Sequence, residues 1–93
     1  MRKRELVEQA ARATSLTRKQ MNEAVDAVFA TIAEALAAGE VVILRDFGRF
    51  YAYTPPPYRI RKVQSGDTYL VDGRPLPQFR SSAALRRRLR GEA

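Results

Sequence analysis

Basic side chains are the groups in this sequence with the most evident chemical use. The chain carries 17 Lys and Arg against 10 Asp and Glu, which gives a formal net charge of +7. Most of the positive charge is arginine, whose planar guanidinium suits phosphate oxygens and groove edges better than an ammonium does. A surplus of this size favours a polyanionic partner, with nucleic acid first and an anionic membrane surface second.

Histidine and cysteine, which serve most often in catalysis and zinc binding, are both absent. Their absence excludes Ser-His-Asp triads, Cys-His dyads, His- or Cys-based zinc sites and disulfides. The carboxylates of Asp26 and Glu34 stand apart on a predicted helix, where ion pairing or solvation explains them better than catalysis. We therefore predict no enzymatic activity, no metal, no cofactor and no small-molecule substrate.

Two helices must position the first part of the chain. Apolar residues recur at helical spacing over residues 3–14 and again over residues 18–38. Thr17 and Gln20 have the spacing of a capping box at the start of the second helix. Gly39 suits a left-handed cap at its end. These signals predict a helical first half of about 40 residues.

The chain then changes to strand-forming residues. Residues 41–44 and 49–53 predict a hairpin, with its turn at Arg45-Asp46-Phe47-Gly48. Three prolines follow at 55–57, and because proline cannot donate to a sheet, the chain must leave the sheet or run along its edge there.

Residues 58–61 and 68–71 predict a ribbon that reverses at Ser65-Gly66. A two-stranded ribbon is marginal in water by itself. We therefore expect this ribbon to project from the body of the protein and to become ordered on a partner.

Serines at 81 and 82 can cap a short final helix. Its predicted inward residues are Ala83, Ala84, Leu85 and Leu89, and its solvent side carries Arg86, Arg87, Arg88 and Arg90. Three phenylalanines, Phe47, Phe50 and Phe79, suit either a base-stacking platform or a core. We favour the core because phenylalanine is usually buried.

Several motifs in combination resemble those of the bacterial HU and integration host factor proteins. The strongest is Phe47-Gly48-Arg49-Phe50. The others are Arg4-Glu5-Leu6-Val7, Ala24-Val25-Asp26-Ala27-Val28-Phe29, Gly39, Pro77-Gln78-Phe79-Arg80 and Ala84-Leu85. Their spacing fits the family without insertions over nearly the whole chain.

This resemblance implies an α+β fold in an intertwined dimer. Two N-terminal helices would form the dimer base, a β-sheet would form a saddle with a long protruding β-ribbon arm, and a short helix would end the chain. The 93 residues then make one domain. Its expected parts are a base at 1–40, saddle strands at 41–53 and 74–80, an arm at 54–73 and a C-terminal helix at 81–91.

The resemblance also implies an architectural, nucleoid-associated protein. Such a protein binds duplex DNA through the minor groove with two arms and bends it, with low or modest sequence specificity. A homodimer is expected, and a heterodimer with a paralogue remains open. The sequence lacks an apolar run that could cross a bilayer and an apolar signal segment, so we expect no membrane partner and a cytoplasmic location.

The residues expected to contact DNA are mostly basic. They are Lys3, Arg59, Arg61, Lys62, Val63, Arg74, Arg80, Arg86 and Arg87. Val63 stands where the family has a proline at the arm tip, and its apolar side chain could still act as a wedge. Asp46 replaces a glycine, and Tyr53 and Tyr58 replace arginines of the arm.

Less specific explanations exist for the same residues. A charged ribbon can serve only to prevent edge-to-edge aggregation, and the arginines of the last helix can be a solvated face. Two alternative functions also remain open. One is a sequence-specific subunit of a heterodimer like integration host factor. The other is a structural interaction module with weak DNA binding, which the prolines and tyrosines of the arm would suit.

Overall fold

The computed structural model describes residues 1–91, and these form three helices and five strands. The helices are α1 (Lys3–Arg12), α2 (Arg18–Ala37) and α3 (Ala83–Leu89), and the strands are β1 (Val42–Leu44), β2 (Gly48–Tyr53), β3 (Tyr58–Arg61), β4 (Thr68–Val71) and β5 (Leu76–Ser81). This order confirms the predicted α+β class, with two N-terminal helices, a strand region and a short C-terminal helix. Residues 92 and 93 of the expected single domain lie outside the described residues.

The first of two compact units, Met1–Ala35, consists of α1 and most of α2. Local hydrogen bonds fix where both helices begin. At α1 the backbone N–H of Arg2 donates to Glu5 Oε2 at 2.8 Å. At α2 the Thr17 N–H donates to Gln20 Oε1 at 2.9 Å, and the Gln20 N–H donates to Thr17 Oγ1 at 3.1 Å. The predicted capping box is therefore confirmed.

Few apolar residues of this unit are buried. Val7 is 2% exposed and Met21 9%, and they are the buried hydrophobic residues among residues 1–91. Beside them lies an open apolar surface, which we call the helical patch. It is formed by Leu6, Ala10, Met21, Ala24, Val25, Val28 and Phe29. Phe29 is 49% exposed, so α1 and α2 leave much of their apolar stripe uncovered in the single chain.

The second unit begins at Leu36 and contains a three-stranded antiparallel sheet in the order β1-β2-β5. We call it the body sheet. Phe50 lies opposite Val42 on one side and Phe79 on the other. Because side chains alternate along a strand, the neighbouring residue Arg49 projects from the opposite face, where its partners are Ile43 and Arg80. The body sheet thus has an aromatic face and a basic face.

The three phenylalanines form a cluster on the aromatic face. The ring centroids of Phe47 and Phe79 are 5.6 Å apart, and those of Phe50 and Phe79 are 4.9 Å apart. A Cβ added at Gly48 would lie 2.5 Å from the Phe79 ring and 2.6 Å from the Arg80 carbonyl oxygen, so only glycine fits beneath this ring. The rings pack as a core does, yet Phe47 is 46% exposed and Phe79 42% in the single chain.

The turn between β1 and β2 depends on Asp46. Its φ of 61° is left-handed, a conformation that aspartate tolerates better than most residues. The Phe47 N–H donates to the Leu44 carbonyl at 3.1 Å and closes the turn. The turn predicted at this position is therefore present, with Asp46 where the resemblance implies a glycine.

Helix α3 is shorter than expected and buries less. It begins at Ala83, after Ser82, whose Oγ accepts the Leu85 N–H at 3.1 Å. Ala84 and Leu85 are half-buried, whereas Ala83 is exposed and Leu89 is 81% exposed. The prediction that Ala83 and Leu89 face inward is wrong for the single chain, because the helix makes only two turns and only Ala84 and Leu85 in its first turn are covered.

Strands β3 and β4 form a separate two-stranded antiparallel sheet, which we call the arm. Its register pairs Tyr58 with Val71 and Arg61 with Thr68. At its base, a Cβ added to Gly73 would lie 2.1 Å from the Pro55 carbonyl oxygen. The chain therefore passes Pro55 so closely on its return that residue 73 must be glycine.

Candidate nucleic-acid interface

The arm has two chemically different faces. Directly opposite residues of an antiparallel pair share a face. Arg59 lies opposite Leu70 and Arg61 opposite Thr68, which places both arginines on one face. The other face carries Tyr58, Ile60, Tyr69 and Val71. The sequence predicted the ribbon of residues 58–61 and 68–71, but not the register between them that completes each face.

Val63 stands at the tip of the arm on a loop closed by hydrogen bonds. The Lys62 N–H donates to the Asp67 carbonyl at 2.7 Å, and the Gly66 N–H donates to the Lys62 carbonyl at 2.9 Å. The Val63 side chain is 98% exposed. The Lys62 ammonium lies 5.7 Å from the centroid of the Tyr69 ring, a cation–π distance. The tip thus presents an uncovered apolar side chain beside a positive charge.

Arg74 and Arg80 lie outside the arm, in the same second unit that contains it. Arg74 is exposed in the segment that returns from the arm to β5. Arg80 is exposed on the basic face of the body sheet, directly opposite Arg49. Arg49 was missed by the sequence analysis, although its alternation with Phe50 is the signal that could have placed it on this face. Its guanidinium carbon lies 5.8 Å from the centroid of the Tyr51 ring.

The two arginines of α3 differ in their surroundings. Arg86 Nη1 donates to the Ser81 carbonyl at 2.5 Å and to Ser81 Oγ at 3.2 Å, so this guanidinium ties the helix to the end of β5. Arg87 is exposed one position further along. Because neighbouring helical residues project about 100° apart, the two side chains leave the helix in different directions.

Lys3 belongs to the first unit. Its ammonium lies 2.5 Å from Asp26 Oδ1, and both side chains are about half exposed. To contact a phosphate, the Lys3 ammonium must either leave Asp26 or contact the carboxylate and the phosphate at the same time.

The structure thus brings Arg59, Arg61, Lys62 and Val63 together in one element. Arg74, Arg80, Arg86 and Arg87 lie outside the arm in the same unit, and Lys3 lies in the other. Residues 1–91 contain no cluster of three acidic, histidine or cysteine side chains that could hold a metal ion. In that same range no helix is both long and apolar enough to span a bilayer.

Comparison with known proteins identifies the family. A family profile described as "Bacterial DNA-binding protein" matches residues 1–90. This chain belongs to that family. The resemblance found in the sequence is therefore confirmed. The family is one of DNA-binding proteins, so the prediction that the chain is not an enzyme is confirmed as well.

Relatives in the family carry the name DNA-binding protein HU. The HU protein of Streptococcus thermophilus is 42% identical over 84 residues, which cover 90% of this chain and 92% of that protein. The HU protein of Geobacillus stearothermophilus is 35% identical over 86 residues, which cover 92% and 96% respectively. The similarity therefore covers nearly the whole chain.

Solved structures of the family share the fold. A cocrystal structure of Anabaena HU with DNA matches with a TM-score of 0.83 and 28% identity, over 96% of this chain and 97% of that one. An HU variant from Thermotoga maritima matches with a TM-score of 0.73 and 26% identity, over 96% and 99%.

Proposed function

We propose that this member of the family is an architectural protein that acts as a dimer and bends duplex DNA. Its two arms enter the minor groove, and its sequence preference is low or modest. The observation that carries the proposal is the arm, in which an exposed arginine face lies next to an exposed apolar tip at Val63. The match to HU in a cocrystal with DNA supports the same interpretation.

A second subunit accounts for the apolar surface of the single chain. Hydrophobic residues make up 45% of the sequence, whereas Val7 and Met21 are the buried ones among residues 1–91. Small chains bury a modest share of their surface, and exposed apolar patches mark protein contacts. We assign the helical patch to a dimer base. A homodimer is the simplest case, and a heterodimer with a paralogue would use the same patch.

The basic residues contribute through phosphate contacts. Neutralised phosphates release counterions, so affinity falls as salt rises. We assign this role to Arg59, Arg61, Lys62, Arg74, Arg80 and Arg87. Lys3 and Arg86 join them only after exchanging their present partners, Asp26 and the two Ser81 oxygens.

Val63 has a different role at the arm tip. An apolar side chain inserted between base steps unstacks them and kinks the duplex, and the added wrapped surface offsets the cost. We propose Val63 as this wedge. The parts of the molecule then act as a dimer base (1–40), a saddle (41–53 and 74–80), an arm (54–73) and a C-terminal helix (81–91). The protein acts on the nucleoid in the cytoplasm.

Bend angle measured by energy transfer between dyes at the two ends of a duplex tests the wedge. We expect Val63→Ala to reduce the bend angle markedly while affinity falls less, because the phosphate contacts remain. Val41→Ala is the matched control, since Val41 is an exposed valine outside the arm. It should leave the bend angle at the parental value. Equal bend angles for the parent and Val63→Ala would remove Val63 from the mechanism.

Two further measurements separate the alternatives. Selection from random DNA should return no strong consensus, whereas a single consensus site would indicate a sequence-specific subunit like integration host factor. In a salt titration, the affinity for DNA should fall steeply as the salt concentration rises. Weak binding that does not change with salt would favour a structural module that retains the fold.

A further inference from the structure

Two arginines face each other across the body sheet. Arg49 in β2 and Arg80 in β5 are direct register partners, and both are exposed. Side chains in such a pair have Cβ atoms about 4.5–5.5 Å apart, and like charges in this arrangement destabilise a sheet. We call Arg49 and Arg80 the arginine pair.

No ion pair in the described part of the chain involves the arginine pair. The ion pairs among residues 1–91 join Lys3 to Asp26, and Arg4 and Arg18 to Glu8, so neither Arg49 nor Arg80 takes part in one. Arg49 instead stacks over the Tyr51 ring, which directs its guanidinium along the basic face. A like-charge pair without an ion-pair partner among residues 1–91 is suited to an external anion.

The space beside the arginine pair is open and carries further donors. Arg49 and Arg80 line an open cleft of about 440 Å³ at the end of the body sheet. Arg45, Ser81 and Ser82 line it as well, and Asp46 is the carboxylate among its lining residues. The lining therefore has three positive charges against one negative charge.

We propose that Arg49 and Arg80 together hold one backbone phosphate of bound DNA, on the body sheet rather than on the arm. The inference rests on the proposed function and assigns Arg49 to that same interface. Each guanidinium offers a planar fork of donors that suits a phosphate. One phosphate between the two groups also removes their mutual repulsion, so anion binding stabilises the body sheet itself.

The first test is the salt dependence of DNA affinity for the full chain, measured by fluorescence anisotropy with a labelled duplex. Because both guanidiniums are needed to hold the phosphate, and a dimer has two arginine pairs, either substitution removes two phosphate contacts from a dimer. Arg49→Gln or Arg80→Gln should therefore lower the slope of log affinity against log salt by about 1.8. Between 50 and 200 mM salt, this makes the affinity loss about twelvefold smaller than for the parent.

Two variants control for charge and for folding. Arg12→Gln removes the same charge from the last turn of α1 and should leave the slope at the parental value. Arg49→Lys keeps a cation on the basic face and should restore most of the slope lost in Arg49→Gln.

The second test needs no DNA. Thermal unfolding of the full chain is compared in sodium sulfate and in sodium chloride at equal ionic strength. Sulfate stabilises proteins generally because it is excluded from their surfaces, and Arg12→Gln measures that general increase in Tm. The parent should exceed this increase. Arg49→Gln and Arg80→Gln should show only the general increase, and Arg49→Lys a reduced excess because the fork geometry is lost.

The two tests separate this inference from the proposed function. If the parent bends DNA and Arg49→Gln shows the same slope of log affinity against log salt as Arg12→Gln, the arginine pair does not hold a phosphate. The proposed bending function then still stands. An equal sulfate response of Arg49→Gln and the parent overturns the arginine pair as an anion site. A parent that neither binds nor bends DNA overturns the proposed function, and the sulfate comparison still decides whether the pair binds an anion.

Discussion

Basic residues with the same charge begin from different local states, and this sets what each can add to binding. Lys3 already pairs with Asp26, and Arg86 already donates to two oxygens of Ser81. Each must give up these contacts in exchange for a phosphate, so its net contribution is the difference between two similar interactions. Arg59 and Arg61 are exposed on the arm and take part in none of the ion pairs among residues 1–91, so they break no ion pair when they bind a phosphate. We therefore expect the arm arginines to contribute more to affinity than Lys3 or Arg86.

Asp46 gives a test of backbone strain at a single residue. Its left-handed φ of 61° suits aspartate and asparagine but costs other side chains about 1–2 kcal/mol. Asp46→Ala should therefore lower the free energy of unfolding by about 1 kcal/mol. Urea titration at one fixed protein concentration measures this.

Asp46→Asn is the matched variant, because it keeps the tolerance of a left-handed φ and removes the charge. Its stability should stay within about 0.5 kcal/mol of the parent. If Asp46→Asn loses as much as Asp46→Ala, the carboxylate that shares the cleft with Arg45, Arg49 and Arg80 stabilises this end of the sheet, and the backbone explanation is wrong.

At the scale of elements, local signals were predictable and pairings between distant segments were not. The Thr17–Gln20 box and the cap at Ser82 depend on residues three positions apart, so both can be recognised in the sequence. The opposition of Arg49 and Arg80 depends on the register between β2 and β5, which are separated by the whole arm. No short motif encodes such a pairing, so the opposition of Arg49 and Arg80 was not predicted.

The cap of α3 is testable in the same terms. Ser82 Oγ accepts the Leu85 N–H at 3.1 Å, and replacing such a cap by alanine costs about 1 kcal/mol. Ser82→Ala should lower stability by that amount and speed hydrogen exchange at the Leu85 amide. Ser15→Ala is the control, because Ser15 is an exposed serine that precedes α2 without capping it. Equal effects of the two substitutions would show that α3 does not depend on its cap.

At the scale of the whole molecule, stability must be shared between two chains. The aromatic cluster and the helical patch both keep large apolar side chains about half exposed, which is more than a stable domain of this size leaves open in the absence of a partner. Folding and association are then one equilibrium, and the measured stability depends on protein concentration.

This coupling gives a prediction for thermal unfolding without DNA. A tenfold rise in protein concentration favours the folded dimer by about 1.4 kcal/mol, which raises the Tm by about 3–5 °C for a dimer of this size. Phe29→Ala removes a half-exposed ring from the helical patch. It should lower the Tm strongly and increase the dependence of the Tm on protein concentration. Tyr69→Ala is the control, since Tyr69 is a similarly exposed aromatic residue of the arm. It should change the Tm much less, because the arm contributes to DNA binding rather than to the dimer base. A Tm independent of concentration, with equal effects of Phe29→Ala and Tyr69→Ala, would mean that each chain folds alone and that the helical patch is not an interface.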